Sequence, residues 1–156
     1  MIPTASHNNA RAESVAKSPA YGPALRRRRC LMVADGFYEW TKGGTGGKQP
    51  YYFRRRDGGP FAFAGLWERW DRGGEPVESC ALITTTPNEV VAPVHNRMPA
   101  IVAPADYARW LDPEATVPAL QGLLRPYPAG EMTGSPVSRL VNSASNDGPR
   151  CVEPEE

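Results

Sequence analysis

The sequence predicts an α+β fold, β-rich and mostly antiparallel, whose strands close part-way into a barrel with short flanking helices. Apolar and alternating runs too short to be helices recur between turns rich in Gly, Pro and Asp, the pattern of successive hairpins. Helix-start signals are present but bracket only short segments, so the helices flank the sheet rather than alternate with its strands. With 156 residues, 40% hydrophobic and 22% charged, the chain has enough apolar surface for one domain, residues 1–156, around a single core.

Each element has its own signal. His7-Asn8-Asn9-Ala10-Arg11-Ala12-Glu13 reads as a loop running into a helix, with Asn8 or Asn9 as cap and Glu13 in an early turn. That helix spans Ala12 to Lys17 and stops before Pro19. Pro23 opens a second short helix that holds Leu25 and runs into Arg26-Arg27-Arg28-Arg29. A strand follows from Arg29 to Trp40, interrupted at Asp35-Gly36 by a bulge or tight turn. Lys42 to Lys48, with Gly43, Gly44, Gly46 and Gly47, is a hairpin loop; its spacing is not that of a phosphate-binding P-loop, and no helix follows it. Pro50 to Arg55 returns as a strand, Asp57-Gly58-Gly59-Pro60 turns, and Phe61 to Trp67 is the next strand.

Beyond the Gly73-Gly74 turn, Ser79 to Thr85 forms a strand whose Ala81-Leu82-Ile83 centre is expected to be buried on both faces. Thr86-Pro87-Asn88-Glu89 reads as a helix start, with Thr86 capping, Pro87 in the first turn and Glu89 reaching back. Ala100-Ile101-Val102 is a short strand. Pro104 to Leu111 is an amphipathic helix with Tyr107, Trp110 and Leu111 inward, and Val117 to Leu124 is another helix. Pro136 to Val141 is the last strand, before a polar loop from Asn142 to Pro149.

Composition excludes several function classes. No apolar run approaches the roughly 18 residues of a membrane helix, and no charged-then-apolar leader opens the chain. A soluble, cytoplasmic protein without membrane partners is therefore expected. Cys30, Cys80 and Cys151 are odd in number and widely spaced, and His7 and His95 are the only histidines. No metal site, disulfide framework or cofactor is expected from them. Charge is uneven. Residues 1–56 hold 11 basic and 3 acidic side chains, residues 57–156 hold 7 and 14, for net charges of +8 and −7. The basic half suits a phosphate-bearing partner, although the arginine run at 26–29 also reads as a solvated helix end.

The stretch Cys30-Leu31-Met32-Val33-Ala34-Asp35-Gly36-Phe37-Tyr38-Glu39-Trp40 organises the chain. Strand alternation puts Phe37 and Glu39 on one face, Tyr38 and Trp40 on the other. A carboxylate beside an apolar Phe is costly to bury unless it has a partner or a task. Glu39 is thus either solvated on an edge strand or functional. Trp40 is either a core aromatic or a platform on which an unpaired base stacks.

Three segments stand together: Asn9-Ala10-Arg11-Ala12-Glu13, Asp35-Gly36-Phe37-Tyr38-Glu39-Trp40 and His95-Asn96-Arg97-Met98-Pro99. In order and spacing they resemble the SRAP family, the SOS response-associated peptidase or abasic-site-processing domain. Arg29-Cys30-Leu31, Lys48-Gln49-Pro50-Tyr51, Phe63-Ala64-Gly65-Leu66-Trp67, Pro136-Val137-Ser138 and Val141-Asn142 extend the resemblance from Asn9 to the C-terminus. It implies an SRAP-like fold with a positively charged groove for single-stranded DNA containing abasic sites, and a nucleoid-associated location in a bacterium. It also implies a nucleophilic cysteine at position 2 that closes a thiazolidine ring on the abasic aldehyde, with an associated autoproteolytic peptidase activity. By the same resemblance Asn9 would hold the cysteine's amine, Glu39 and His95 would be catalytic, and Arg11 and Arg97 would face DNA phosphate. The residue types suit that chemistry. An α-amine with a pKa of roughly 8 is partly nucleophilic at neutral pH. A semi-buried Glu39 can donate the proton that lets water leave, histidine can exchange protons in the physiological range, and arginine presents a fork to phosphate. From the residues alone, Asn9 and Arg11 read equally as a cap and a helix-surface charge.

The resemblance departs at the start. Position 2 is Ile, the Met-Cys-Gly-Arg opening of the family is missing, and only 8 residues precede Asn9. The expectation is a domain truncated at its N-terminus relative to the family, with three explanations: a fragment or mis-set start of a longer protein, a truncated gene, or a domain that has lost catalysis and kept DNA binding. Such a domain would be marginally stable or would form a homo-oligomer that covers the bared sheet edge. The alternative function is a non-covalent single-stranded DNA-binding module.

Overall fold

The computed structural model describes residues 8–43, 47–71 and 73–155. His7, position 2 and the centre of the glycine loop at 44–46 lie outside them. The strands are β1 (Asn9–Arg11), β2 (Arg29–Ala34), β3 (Gly36–Trp40), β4 (Pro50–Arg55), β5 (Phe61–Trp70), β6 (Val77–Thr85), β7 (Met98–Pro99) and β8 (Met132–Pro136). The α-helices are short: α1 (Gly22–Arg27), α2 (Tyr107–Leu111) and α3 (Val117–Gln121). None of the helices among the described residues is long and apolar enough to cross a membrane.

The chain divides into two compact units. The first contains residues up to Val33 with Ala62–Thr85 and Pro99–Tyr127. Its sheet runs β1-β6-β5-β2. β5 and β6 form an antiparallel hairpin, while β1 lies parallel to β6 with Asn9 opposite Leu82 and Arg11 opposite Thr84. Val15, Leu25, Ile83, Trp110 and Leu120 are fully buried in the core of this unit. Arg29 is buried beside them. Its guanidinium donates to the carbonyls of Leu25 (2.7 Å), Trp110 (2.7 Å) and Asp112. These carbonyls lie at or beside the ends of α1 and α2, where no intrahelical N–H is left to bond them.

The second unit contains Ala34–Phe61, Thr86–Met98 and the chain from Pro128 onward. Its sheet runs β3-β4-β8, antiparallel throughout. Phe37 lies opposite Phe53 with ring centroids 5.2 Å apart, and Tyr38 opposite Tyr52 at 5.1 Å. Alternation along β3 thus follows the expected parity. At its head, Gly36 has no room for a side chain: a Cβ there would overlap the Tyr52 ring and lie 2.5 Å from the Phe53 carbonyl oxygen.

The α+β, sheet-rich class holds, with two open sheets in place of a part-closed barrel. The break at Asp35, Pro23 in the first turn of α1 and the strand Pro50–Arg55 agree with the sequence reading. Six local expectations fail in whole or in part. The segment from Asn9 is not a helix lead-in, because pairing with β6 outcompetes the local cap signal; only Val15–Lys17 makes a 3-10 turn. No helix starts at Thr86. Asn88 accepts the N–H groups of Val90 (3.2 Å) and Val91 (3.1 Å) with its side chain and holds residues 89–94 as turns. The last strand is Met132–Pro136, not Pro136–Val141. Beyond it Ser138 caps the 3-10 helix Arg139–Asn142 by accepting Leu140 N–H, which ends pairing. Leu111 is exposed, since α2 is too short to turn it under Trp110, and at the centre of β6 only Ile83 is fully buried. Finally, the arginine run is a solvated helix end only in part: Arg26 and Arg27 are exposed in the last turn of α1, but Arg28 pairs with Glu68 at 2.6 Å and Arg29 is buried.

Overpacking of the kind G36A introduces costs about 1–3 kcal/mol. We therefore expect its urea midpoint to fall well below wild type. G130A, at a position in the same unit where a Cβ meets nothing, is expected to change stability by less than about 0.5 kcal/mol.

Candidate acid–base site

β3 presents Glu39 opposite Tyr51 of β4, next to the stacked Phe37 and Phe53. Neighbours on the sheet shield the carboxyl, and 21% of the side chain remains exposed. Burial raises the Glu39 pKa above the ordinary glutamate value, and the nearby charge of His95 opposes the rise. His95 is delivered by the turn that Asn88 organises; its backbone N–H donates to Val91 O at 3.0 Å. Its Nδ1 lies 3.4 Å from Glu39 Oε2, 3.1 Å from the Arg97 carbonyl oxygen and 3.2 Å from the Arg97 N–H nitrogen. With a proton on Nδ1 the imidazole can donate to the carbonyl and the carboxylate. With the proton on Nε2, Nδ1 can accept from the Arg97 N–H and from a protonated Glu39. The pair accommodates a proton on either partner, which is what a group acting as both acid and base requires.

Glu39 and His95 line a cleft of about 710 Å³. Trp40 and Asn142 form part of its wall, the indole N–H donating to Asn142 Oδ1 at 2.7 Å. Lys42 and Lys48, both exposed, lie on its rim. The lining thus combines an acid–base pair, a half-buried aromatic and positive charge. Among the described residues no three His, Cys, Asp or Glu side chains gather as metal ligands.

The family model of SOS response associated peptidase (SRAP) matches residues 3–144. The chain belongs to the SRAP family. The abasic site processing protein YoqW of Bacillus subtilis is 42% identical over 147 residues, covering 93% of this chain and 66% of the relative. The abasic site processing protein HMCES of Gallus gallus is 37% identical over 172 residues, covering 96% of this chain and 50% of the relative. A crystal structure of a protein from Bacteroides thetaiotaomicron superposes with a TM-score of 0.86 at 29% identity, over 95% of this chain and 66% of that one. The chain therefore spans just under two thirds of the length of its Bacillus relative.

Of the residues singled out from sequence, the structure brings Glu39, Trp40 and His95 to one cleft of the second unit. Arg97 is adjacent, with its backbone bonded to the imidazole. Trp40 is half-buried rather than a core aromatic. Asn9 and Arg11 belong to the first unit, where both project from the exposed face of β1 while Ala10 is buried between them. Sequence reasoning assigned no role to Asn142, Lys42 and Lys48. Asn142 lay within a recognised SRAP segment, but nothing in its neighbourhood marked it as the partner of a tryptophan 102 positions away.

The raised Glu39 carboxyl has a definite effect on stability. The folded protein holds this proton to higher pH than the unfolded chain. Its contribution is therefore lost as pH rises from the ordinary value near 4.5 through the raised one, and is constant above that. In urea titrations at a series of pH values, wild type is expected to lose stability relative to E39Q across that window. A difference independent of pH would contradict the assignment.

Proposed function

We propose that this chain processes abasic sites in single-stranded DNA, with Glu39 and His95 as its acid–base pair. The carrying observation is a half-buried carboxyl with a raised pKa, 3.4 Å from an imidazole, in a cleft rimmed by lysines. Relatives named abasic site processing proteins supply the substrate class. The ring-opened abasic sugar carries an aldehyde. An amine adding to that carbon gives a carbinolamine, which becomes an imine by losing water. Protonated Glu39 supplies the proton to the departing hydroxyl, and His95 returns one to Glu39. A thiol on the same nucleophile then adds to the imine carbon and closes the thiazolidine.

The amine and thiol must belong to one N-terminal cysteine. Cys30, Cys80 and Cys151 are internal and carry no free α-amine. The residues in hand account for acid–base assistance and for DNA holding. In this reading Asn9 orients the attacking amine, Arg11 and Arg97 bond phosphate oxygens, and Trp40 stacks on an unpaired base. The second reading is a non-covalent single-stranded DNA-binding module, for which a lysine-rimmed cleft beside Trp40 would suffice. Both readings place the protein with DNA in the cytoplasm.

A denaturing-gel and filter-binding experiment with single-stranded DNA carrying one abasic site tests the DNA binding that both readings share. The chain as written is expected to bind with an affinity that falls steeply as salt rises, and to give no covalent band. R11A should reduce the salt slope by roughly one phosphate contact, and E39Q should leave binding intact. Absence of binding would overturn both readings. A covalent band would show that another amine or thiol of this chain is the nucleophile.

A further inference from the structure

Asn88 is buried, 7% exposed, and every polar group it carries is engaged. Its Oδ1 accepts the N–H of Val90 and of Val91, and its carbonyl accepts the N–H of Ala92 at 2.9 Å. Val91, fully buried, in turn accepts the N–H groups of Val94 (2.9 Å) and His95 (3.0 Å). The turn that carries His95 is thus folded around Asn88. The remaining donors point at sulfur. The Asn88 backbone N–H lies 3.3 Å from Met98 Sδ, and the side-chain amide lies 3.1 Å from Met132 Sδ. Both methionines are fully buried. Met98 closes the turn on its far side. Met132 begins β8 and pairs with Arg55 at one end of β4; the other edge of that strand pairs with β3, where Tyr51, nearer its other end, lies opposite Glu39.

Asn88 therefore bonds the His95 turn at one end of its side chain and the Glu39 sheet at the other. We propose that Asn88 is a positioning residue that sets the Glu39–His95 separation by tying the two elements together through the Met132 thioether. The inference deepens the reading of Glu39 and His95 as the acid–base pair and rests on it. A thioether is a weak acceptor on a flexible side chain. The tie links the two elements without adding a charge beside a carboxyl whose proton affinity matters. The charged groups near the pair are then Lys42 and Lys48 on the cleft rim, with Arg97 next along the turn.

The test is a coupling measurement. Carbon-13 NMR of the Glu39 carboxyl gives its titration midpoint, which His95 lowers. H95Q is therefore expected to raise it. In the N88A background the same H95Q change is expected to raise it by less than half as much, because His95 has already moved away. M132L keeps the apolar volume and the capping of the turn but removes the sulfur, so it should diminish the H95Q displacement in the same sense. An undiminished displacement in both backgrounds overturns the inference. If N88A does not fold, an undiminished displacement in M132L alone overturns it. No DNA enters this readout, so its failure is distinguishable from failure of the abasic-site reading, which shows only in the gel.

Discussion

The candidate site depends on a side chain that is not there. Between Ala34, the last residue of β2, and Gly36, the first of β3, the chain has one residue in which to leave one sheet and join another. It does so where Gly36 lies against the Tyr52 ring and the Phe53 carbonyl, a space that no larger residue fits. From that point register follows. Phe37 stacks on Phe53, Tyr38 falls beside Tyr52, and Glu39 takes the position opposite Tyr51. A slip of one residue would turn the carboxyl to the other face and bring Tyr38 in against the phenylalanines.

Glu39 sits at a compromise between two opposing demands. A fully solvated carboxyl would be ionised at neutral pH and have no proton to give. A fully buried one without a partner would be a large cost to the fold. Partial burial against aromatic neighbours raises its proton affinity, and the imidazole 3.4 Å away limits the rise. Both protonation states keep a partner, so neither state leaves a buried group unsatisfied.

Much of this was legible in the sequence, and the failures share a cause. The interruption at Asp35-Gly36, the parity of Phe37 to Trp40 and the strand Pro50–Arg55 depend on local chemistry, namely a turn dipeptide, alternation and a proline-bounded run. The pairing of Glu39 with His95 is not local and became legible only through the recognised SRAP segments. What could not be read depends on distant partners. Asn9–Arg11 carries a cap signal, but β6, more than seventy residues on, makes it a strand. Thr86-Pro87-Asn88-Glu89 has every local mark of a helix start. Its outcome is decided at Asn88, whose side chain accepts the Val90 and Val91 N–H groups while its own donors lie on methionine sulfurs at positions 98 and 132. Trp40 could not be placed between core and cleft until Asn142 was seen on its indole N–H.

Arg29 has a consequence for how the first unit assembles. α1 and α2 have six and five residues, too few to persist as isolated helices in water. The carbonyls at their ends are collected by one guanidinium whose own position is set by β2. Neither helix therefore satisfies all its C-terminal carbonyls by itself. Each becomes worth forming only when the strand bearing Arg29 has been placed, and that strand's bare positive charge is tolerable in the core only when both helices have arrived. Helix and sheet in this unit are bound into one cooperative event, with little room for a folding intermediate that holds one without the other.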